Sequence, residues 1–274
     1  MRTNRKHEPM SNEAIQQVAP SAFAGQAHDT RSERYSFVPT SVIIDGMRQH
    51  GFVPVYASQS ISRVPGKQYF TKHQIRFQAI NNPVMNLGDV TAEVILTNSH
   101  DGTSAYDLSC GLYRLACLNG MMVSTSFVES LKVRHVGNAV DLVIAGTEEM
   151  VKRAPMVIQA VREWKQIILT DEEQLILAEE ALGLRYDESA PIQADKLLTV
   201  RRNADQGSDL WTVFNRVQEN TTQGGFRYKT ESVPGDASTT RRSRTREVKG
   251  IDQSTKLNRA LFSLAAKMAE LKAK

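Results

Sequence analysis

The chain has 274 residues, 41% of them hydrophobic and 23% charged, with a formal net charge of +4. That balance supports a packed core and excludes wholesale disorder. No apolar run approaches the roughly 18 residues of a membrane span, so no membrane partner is expected. The opening "MRTNRKHEPMSNEAIQQ" is basic with no apolar stretch behind it, which argues against a secretory signal and for a cytoplasmic location.

In chain order, residues 1–33 read as a mobile arm with one docking turn near Ala14-Ile15 and Val18 to Phe23. A helix is predicted from "TSVIIDGMRQH", with Thr40 as N-cap, Val42, Ile43 and Met47 at helical spacing, and Gly51 as the stop. Strands follow at "FVPVYASQSIS", "HQIRFQAI" and "VTAEVILTN". Ile75, Phe77 and Ala79 alternate with Gln74, Arg76 and Gln78, and Val90, Ala92, Val94 and Leu96 oppose Thr91, Glu93 and Thr97. That period of two predicts an antiparallel sheet with one solvated face. "MMVSTSF" and "SLKVRH" can add strands and close a sheet core over 34–137.

Beyond Gly137 the period turns helical, giving a helical region over 138–221. Pro155 either opens a second helix or kinks one long one. Thr170 and Glu173 have capping-box spacing, and "SDLWTVFNRVQENTTQGG" is a helix with a glycine stop. Residues 222–250 are polar and basic and read as a flexible linker. The final segment, 251–274, is an amphipathic helix with Leu257, Leu261, Leu264 and Met268 on one stripe. The fold class is α+β: an antiparallel sheet with an N-terminal helix, then a helical second half.

Candidate chemistry is sparse. Cys110 and Cys117 lack zinc-module spacing and read as buried thiols. Neither the nucleophile-elbow motif nor a phosphate-binding glycine loop is present, so no catalytic residue, cofactor or metal is assigned. His100 beside Asp101, with Asn98, sits on a turn-forming stretch. A polar hairpin turn is the leading reading, a nucleic-acid-contacting turn the second, and a metal-dependent nuclease centre with His73 and His135 the third.

Cations are more informative. Arg241, Arg242, Arg244, Arg246 and Lys249 face only Glu247 within nine residues, an excess equal to that of the whole chain. Arg63, Lys67, Lys72, Arg76, Lys132 and Arg134 fall on strands or turns with Tyr56, Tyr69 and Phe70 among them. Cations that follow a phosphate backbone, beside aromatics that stack on bases, are the equipment of single-strand binders.

The stretch "RSERYSFVPTSVIIDGMRQHGFVPVYASQSISR", then "KHQIRF", "LTNSHDGTSAYDL", "GLYRLACLNGMMV", "VRHVGN" and "DLWTVFNRVQEN", resembles the YfjQ, YafZ and YubP group. The resemblance runs from residue 20 onward and implies a phage- or plasmid-borne protein with a domain of unknown function. It implies no reaction. A helix, an antiparallel sheet and a packed helix are also the outline of single-strand annealing proteins, a likeness of fold alone. The expectation is therefore a non-enzymatic, homo-oligomeric DNA-binding protein, acting on single strands in annealing or recombination. Its rivals are the nuclease and an anti-defence protein that binds a host factor.

Overall fold

The computed structural model describes residues 2–3, 8–30, 36–80, 82–115, 119–124, 127–135, 137–187, 189–233 and 236–274. Contacts divide the chain into two units, 1–158 and 159–274. The fold is α+β, as the patterning predicts.

The first unit is built on one antiparallel sheet of β1 (Arg2–Thr3), β2 (Phe52–Gln59), β3 (His73–Ala79), β4 (Asn86–Leu87), β5 (Val90–Asn98), β6 (Tyr106–Arg114), β7 (Asn119–Met122) and β8 (Leu131–Val133). The strand order is β1-β2-β3-β5-β6-β7, with β4 added to β5. One edge of β6 is shared: Gly111 to Arg114 pair with β7, and Tyr106 to Leu108 pair with β8.

The period-two alternation puts Ile75, Phe77, Val94, Leu96 and Leu108 on one face, all essentially unexposed. α2 (Thr40–Gln49) and the first part of α3 (Ala139–Trp164) belong to this side. Gly146 of α3 lies against Leu108 and Leu131, and the Thr147 hydroxyl meets the Met47 sulfur at 3.3 Å. Pro155 lies inside α3, which continues through it as one helix. The sheet unit therefore extends to residue 158, past the boundary at 137 that the change of period suggests. A half-apolar sheet needs a helical cover, and the early turns of α3 supply part of it.

The second face departs from expectation. It is not solvated: Gln74 and Arg76 are 7% and 6% exposed, and Glu93 is fully buried. Arg76 Nη1 donates to Glu93 Oε2 at 3.0 Å and to the Met121 carbonyl at 3.3 Å, while Gln78 Nε2 donates to Glu93 Oε1 at 3.0 Å. The guanidinium thus touches residues of β5 and β7, and its carbon lies 5.7 Å from the centroid of the Tyr56 ring on β2. A Cβ at Gly120 would come within 2.6 Å of Arg76 Nη1, so a side chain there would displace the guanidinium from its place beside Glu93.

The arm is also more ordered than its composition suggests. α1 (Asn12–Val18) starts at a Ser11 cap and is followed by a short 3-10 turn, Pro20–Phe23. Ile15, Ala19 and Ala22 are fully buried, and Arg48 donates to Asn12 Oδ1 and to the Met10 carbonyl. Three apolar anchors suffice to dock a segment that polarity alone marks as mobile.

The second unit surrounds α5 (Leu210–Gln223), of which almost every residue is buried. α4 (Asp171–Tyr186), with the expected Thr170–Glu173 capping box, and α6 (Ile251–Lys272) pack on it. Trp164, Trp211, Phe214 and Phe262 form the aromatic centre, with ring centroids 4.9–6.4 Å apart. Two polar residues of α5 tie it to its surroundings: Gln218 Nε2 donates to Asn258 Oδ1 at 2.6 Å, and Asn220 Nδ2 donates to the Leu197 and Thr199 carbonyls. Leu257, Leu261 and Met268 of the α6 stripe are buried in this core, so the stripe is not a free surface for self-association. The expected linker is largely a ribbon of two antiparallel strands, β9 (Arg227–Val233) and β10 (Asp236–Arg244).

Arg76→Ala leaves Glu93 buried and unpaired, which costs on the order of 3–5 kcal/mol of stability. Arg76→Met with Glu93→Gln is expected to recover most of that loss in urea denaturation. A single variant as stable as the parent would contradict the buried pair.

Candidate functional site

Two places in the molecule gather chemistry-bearing side chains. The first is the end of the sheet where β3 begins and β5 finishes. His73 pairs with Asn98 across those strands, His100 follows β5, and His135 follows β8. The imidazoles of His73 and His100 lie 5.5 Å apart and those of His100 and His135 6.1 Å apart.

Thr40 joins them. It is the first residue of α2 and not its cap, and its hydroxyl makes no capping bond. That hydroxyl lies 2.9 Å from His73 Nε2 and 3.2 Å from His100 Nε2, and accepts from Asn98 Nδ2 at 3.1 Å. His73 Nδ1 sits 2.9 Å from Ser21 Oγ and 3.2 Å from the Thr71 carbonyl, and His135 Nε2 lies 3.0 Å from Asn98 Oδ1.

Valence assigns the protons. A carbonyl only accepts, so His73 carries its proton on Nδ1 and its Nε2 accepts from the Thr40 hydroxyl. Thr40 then accepts from Asn98 and from His100 Nε2–H. His100 Nδ1 is left as a buried acceptor with no hydrogen bond. Burial lowers His73 to about 4 and His100 to about 3, and each is lowered further by neighbouring histidine. Burial lowers His135 as well, against the pull of the Ser104 backbone.

Asp101 takes no part in a catalytic pair with His100. Its Oδ1 accepts from the Thr103 amide at 3.1 Å and hydroxyl at 2.6 Å, and its Oδ2 pairs with Lys67 Nζ at 3.3 Å. These contacts hold the carboxyl below its usual range although burial pushes the other way. Within the structure, Asp101 is engaged by the turn itself and by Lys67. Among the described residues no group of three or more His, Cys, Asp or Glu side chains could hold a metal. Both nitrogens of His73 and the Nε2 atoms of His100 and His135 are engaged with Ser21, Thr40 and Asn98, and no carboxylate joins them as a ligand set. Cys110 is a buried free thiol pushed up to about 12, while Cys117 lies outside the described residues.

The predicted phosphate-binding cations scatter. Arg76 belongs to the buried pair with Glu93 and is unavailable to a phosphate. Lys67 is tied to Asp101, and Lys72 is half-buried. Arg63, Lys132 and Arg134 are exposed, with Tyr69 53% exposed near Arg63 in sequence.

The second place is the β9–β10 ribbon. Lys229 stands opposite Arg242, and Arg227 opposite Arg244. All four are exposed, while Tyr228, Thr230 and Ser243 between them are half-buried. Alternation therefore gives the ribbon one face of cations alone at these positions. None of the four pairs with a described carboxylate. Arg241 and Arg246 are exposed beside them. Arg227 and Lys229 were not among the predicted contacts, because a segment read as linker gives no reason to pair its two halves.

The base of the ribbon is fixed to the helices. Gly225 N donates to the Thr245 carbonyl and Thr245 N to the Phe226 carbonyl, both at 2.9 Å, and Val248 N reaches the Thr222 carbonyl at the end of α5. Arg185 of α4 donates to the Arg246 carbonyl. Gly224 caps α5 at φ 62, with the Thr245 and Arg246 carbonyls 2.9 Å from where a Cβ would stand. Both the conformation and the space require glycine.

Residues 27–262 match the model of a domain of unknown function, DUF932. The chain is 37% identical over 262 residues to the UPF0380 protein YafZ of Escherichia coli (strain K12), covering 95% of this chain and 92% of that one. It is 36% identical over the same extent to the UPF0380 protein YfjQ of that organism. No solved structure matches.

The histidine cluster makes a pH prediction. In the unfolded chain these imidazoles titrate near 6.5, and in the fold they stay neutral to far lower pH. The unfolded state thus binds more protons, and the stability present above pH 6.5 is lost as pH falls towards 4. With His73 and His100 both contributing, the loss reaches up to about 2.7 kcal/mol per pH unit. Denaturation midpoints between pH 7 and pH 5 should show that slope, and His100→Gln should roughly halve it. A midpoint that does not move over this range would refute the neutral buried network.

Proposed function

The chain belongs to the DUF932 family, and from that footing we propose that it is a DNA-binding protein whose contact surface is the cationic face of the β9–β10 ribbon. One observation carries the reading: like charges stand directly opposite one another on that face, Lys229 against Arg242 and Arg227 against Arg244. Directly opposed like charges destabilise a strand pair by a few tenths of a kcal/mol or more. A polyanion relieves that repulsion and gains counterion release at each phosphate neutralised. Phosphate contacts of this kind give affinity without base choice.

A second reading, single-strand binding by a homo-oligomer in annealing, has its own support at the turn between β2 and β3. There the exposed Arg63 and Tyr69 offer a cation and a stacking ring on one short loop. The α6 stripe does not supply the self-association that this role needs, since it is buried. The nuclease alternative is not favoured by the histidine cluster, most of whose nitrogens are engaged in hydrogen bonds and which has no carboxylate in a ligand group with it among the described residues. Among the described residues no helix is long and apolar enough to cross a membrane.

A salt titration of DNA binding by fluorescence anisotropy tests the main reading, with one oligonucleotide offered single-stranded and annealed. Changing Arg227, Lys229, Arg242 and Arg244 to Gln should flatten log affinity against log salt by roughly 3 units on the better-bound form. An unchanged slope would leave the ribbon without a role in binding. For the second reading, Tyr69→Ala should lower single-strand affinity by about 1–3 kcal/mol, the worth of one stacked base. Unaltered affinity would remove the stacking contact.

A further inference from the structure

We infer that the β9–β10 ribbon seats in the major groove of double-stranded DNA. This rests on the DNA-binding reading above and specifies the form of DNA that this one surface takes.

Three properties of the ribbon point there. The first is shape. Two antiparallel strands lie about 4.8 Å apart, and the B-form major groove, about 12 Å wide, admits a two-stranded ribbon while the minor groove, about 6 Å wide, does not.

The second is the arrangement of charge. Arg227 and Lys229 on β9, and Arg242 and Arg244 on β10, occupy alternate positions on one face. Neighbours along each strand are therefore about 6.8 Å apart, and opposed partners about 5 Å. Four long cationic side chains spread from so narrow a base can reach phosphates on both walls of a groove. Their arginines can also meet the acceptor edge of guanine on its floor.

The third is what the face lacks. Tyr228 stands opposite Ser243, on the other, half-buried side of the ribbon. No aromatic ring shares the face with the four cations at the paired positions 227–229 and 242–244. Unstacked bases of a single strand need such a ring, whereas the bases of a duplex are already stacked. An A-form RNA duplex is disfavoured by its deep, narrow major groove.

The anchored base completes the case. Reciprocal bonds between Gly225, Phe226 and Thr245 fix the root of the ribbon, so its cations are presented together and not on a loose chain.

The test uses the full chain and an Arg227→Gln, Lys229→Gln, Arg242→Gln, Arg244→Gln variant, whose thermal melt should match the parent because all four positions are exposed. Wild type and variant are titrated with a 20-base-pair DNA duplex, its single strand, and the RNA duplex of the same sequence. The variant should lose affinity for the DNA duplex by roughly a hundredfold at low salt, its slope against log salt flattening by up to about 3.6 units. Its affinity for the single strand should change by less than about threefold, and the wild type should prefer DNA duplex to RNA duplex by roughly tenfold. Duplex carrying glucosylated hydroxymethylcytosine, which fills the major groove, should bind at least about tenfold more weakly, while the minor-groove ligand netropsin should not compete. A variant that loses single-strand affinity as much as duplex affinity overturns the inference but leaves DNA binding standing, as does competition by netropsin. Failure of the wild type to bind any of the three nucleic acids defeats both.

Discussion

The first unit depends on one buried ion pair. A sheet covered by helices on a single face would leave its other face to solvent, yet here that face carries Arg76 and Glu93 out of water. A charge removed from water is tolerated only when its partner and remaining hydrogen bonds are in place. Arg76 meets the condition with Glu93, the Met121 carbonyl and the space beside Gly120 as its seat. The pair thereby ties β3, β5 and β7 through side chains as well as through the hydrogen-bond ladder. It also decides the fate of the end of the sheet, where His73 and Asn98 are in register only if β3 and β5 stay in place.

The histidine cluster and the Arg76 pair solve the same problem in different ways. At the sheet end the polar groups are neutral, and a single hydroxyl, Thr40 Oγ1, serves three neighbours. Neutral imidazoles are cheaper to bury than imidazolium, which is why burial is the largest influence on His73 and His100. The result is a network without a free ligand nitrogen at His73 and without a carboxylate turned towards His100. It resembles an active site in its residue types and works as a clasp between α2, the N-terminal turn and the sheet.

In the second unit α5 plays the central part, and its polar residues explain why. Asn220 and Gln218 spend their side chains on the loop at 197–199 and on α6, so the helix organises its surroundings by hydrogen bonds as well as by Trp211 and Phe214. Thr222, at its last turn, receives the strand leaving the ribbon. The cationic face is thus joined to the helical core by the hydrogen bonds at the base of the ribbon.

Much of this was legible in the residues themselves. Period-two alternation marked β3 and β5, Thr170 with Glu173 marked the start of α4, and "DLWTVFNRVQEN" ahead of two glycines marked α5 and its end. Each is a local signal, in which dihedral preference and nearest-neighbour hydrogen bonds suffice. The ribbon carried such a signal too, since Arg227 and Lys229 alternate with Tyr228 and Thr230 before the turn-forming Pro234-Gly235, but charge outweighed period in a segment so polar. What no local pattern contains is the identity of a distant partner. Alternation shows that Arg76 and Gln74 share a face; whether that face meets water depends on Glu93, seventeen residues on, and on a glycine at 120. Likewise His73, His100 and His135 become one cluster, and Arg242 meets Lys229, only through strand pairing. The sequence by itself determined the elements and their apolar faces. Tertiary structure decided which polar groups are spent on one another and which remain free to meet a partner, because a buried charge or hydrogen bond is satisfied by whatever the fold brings within about 3 Å.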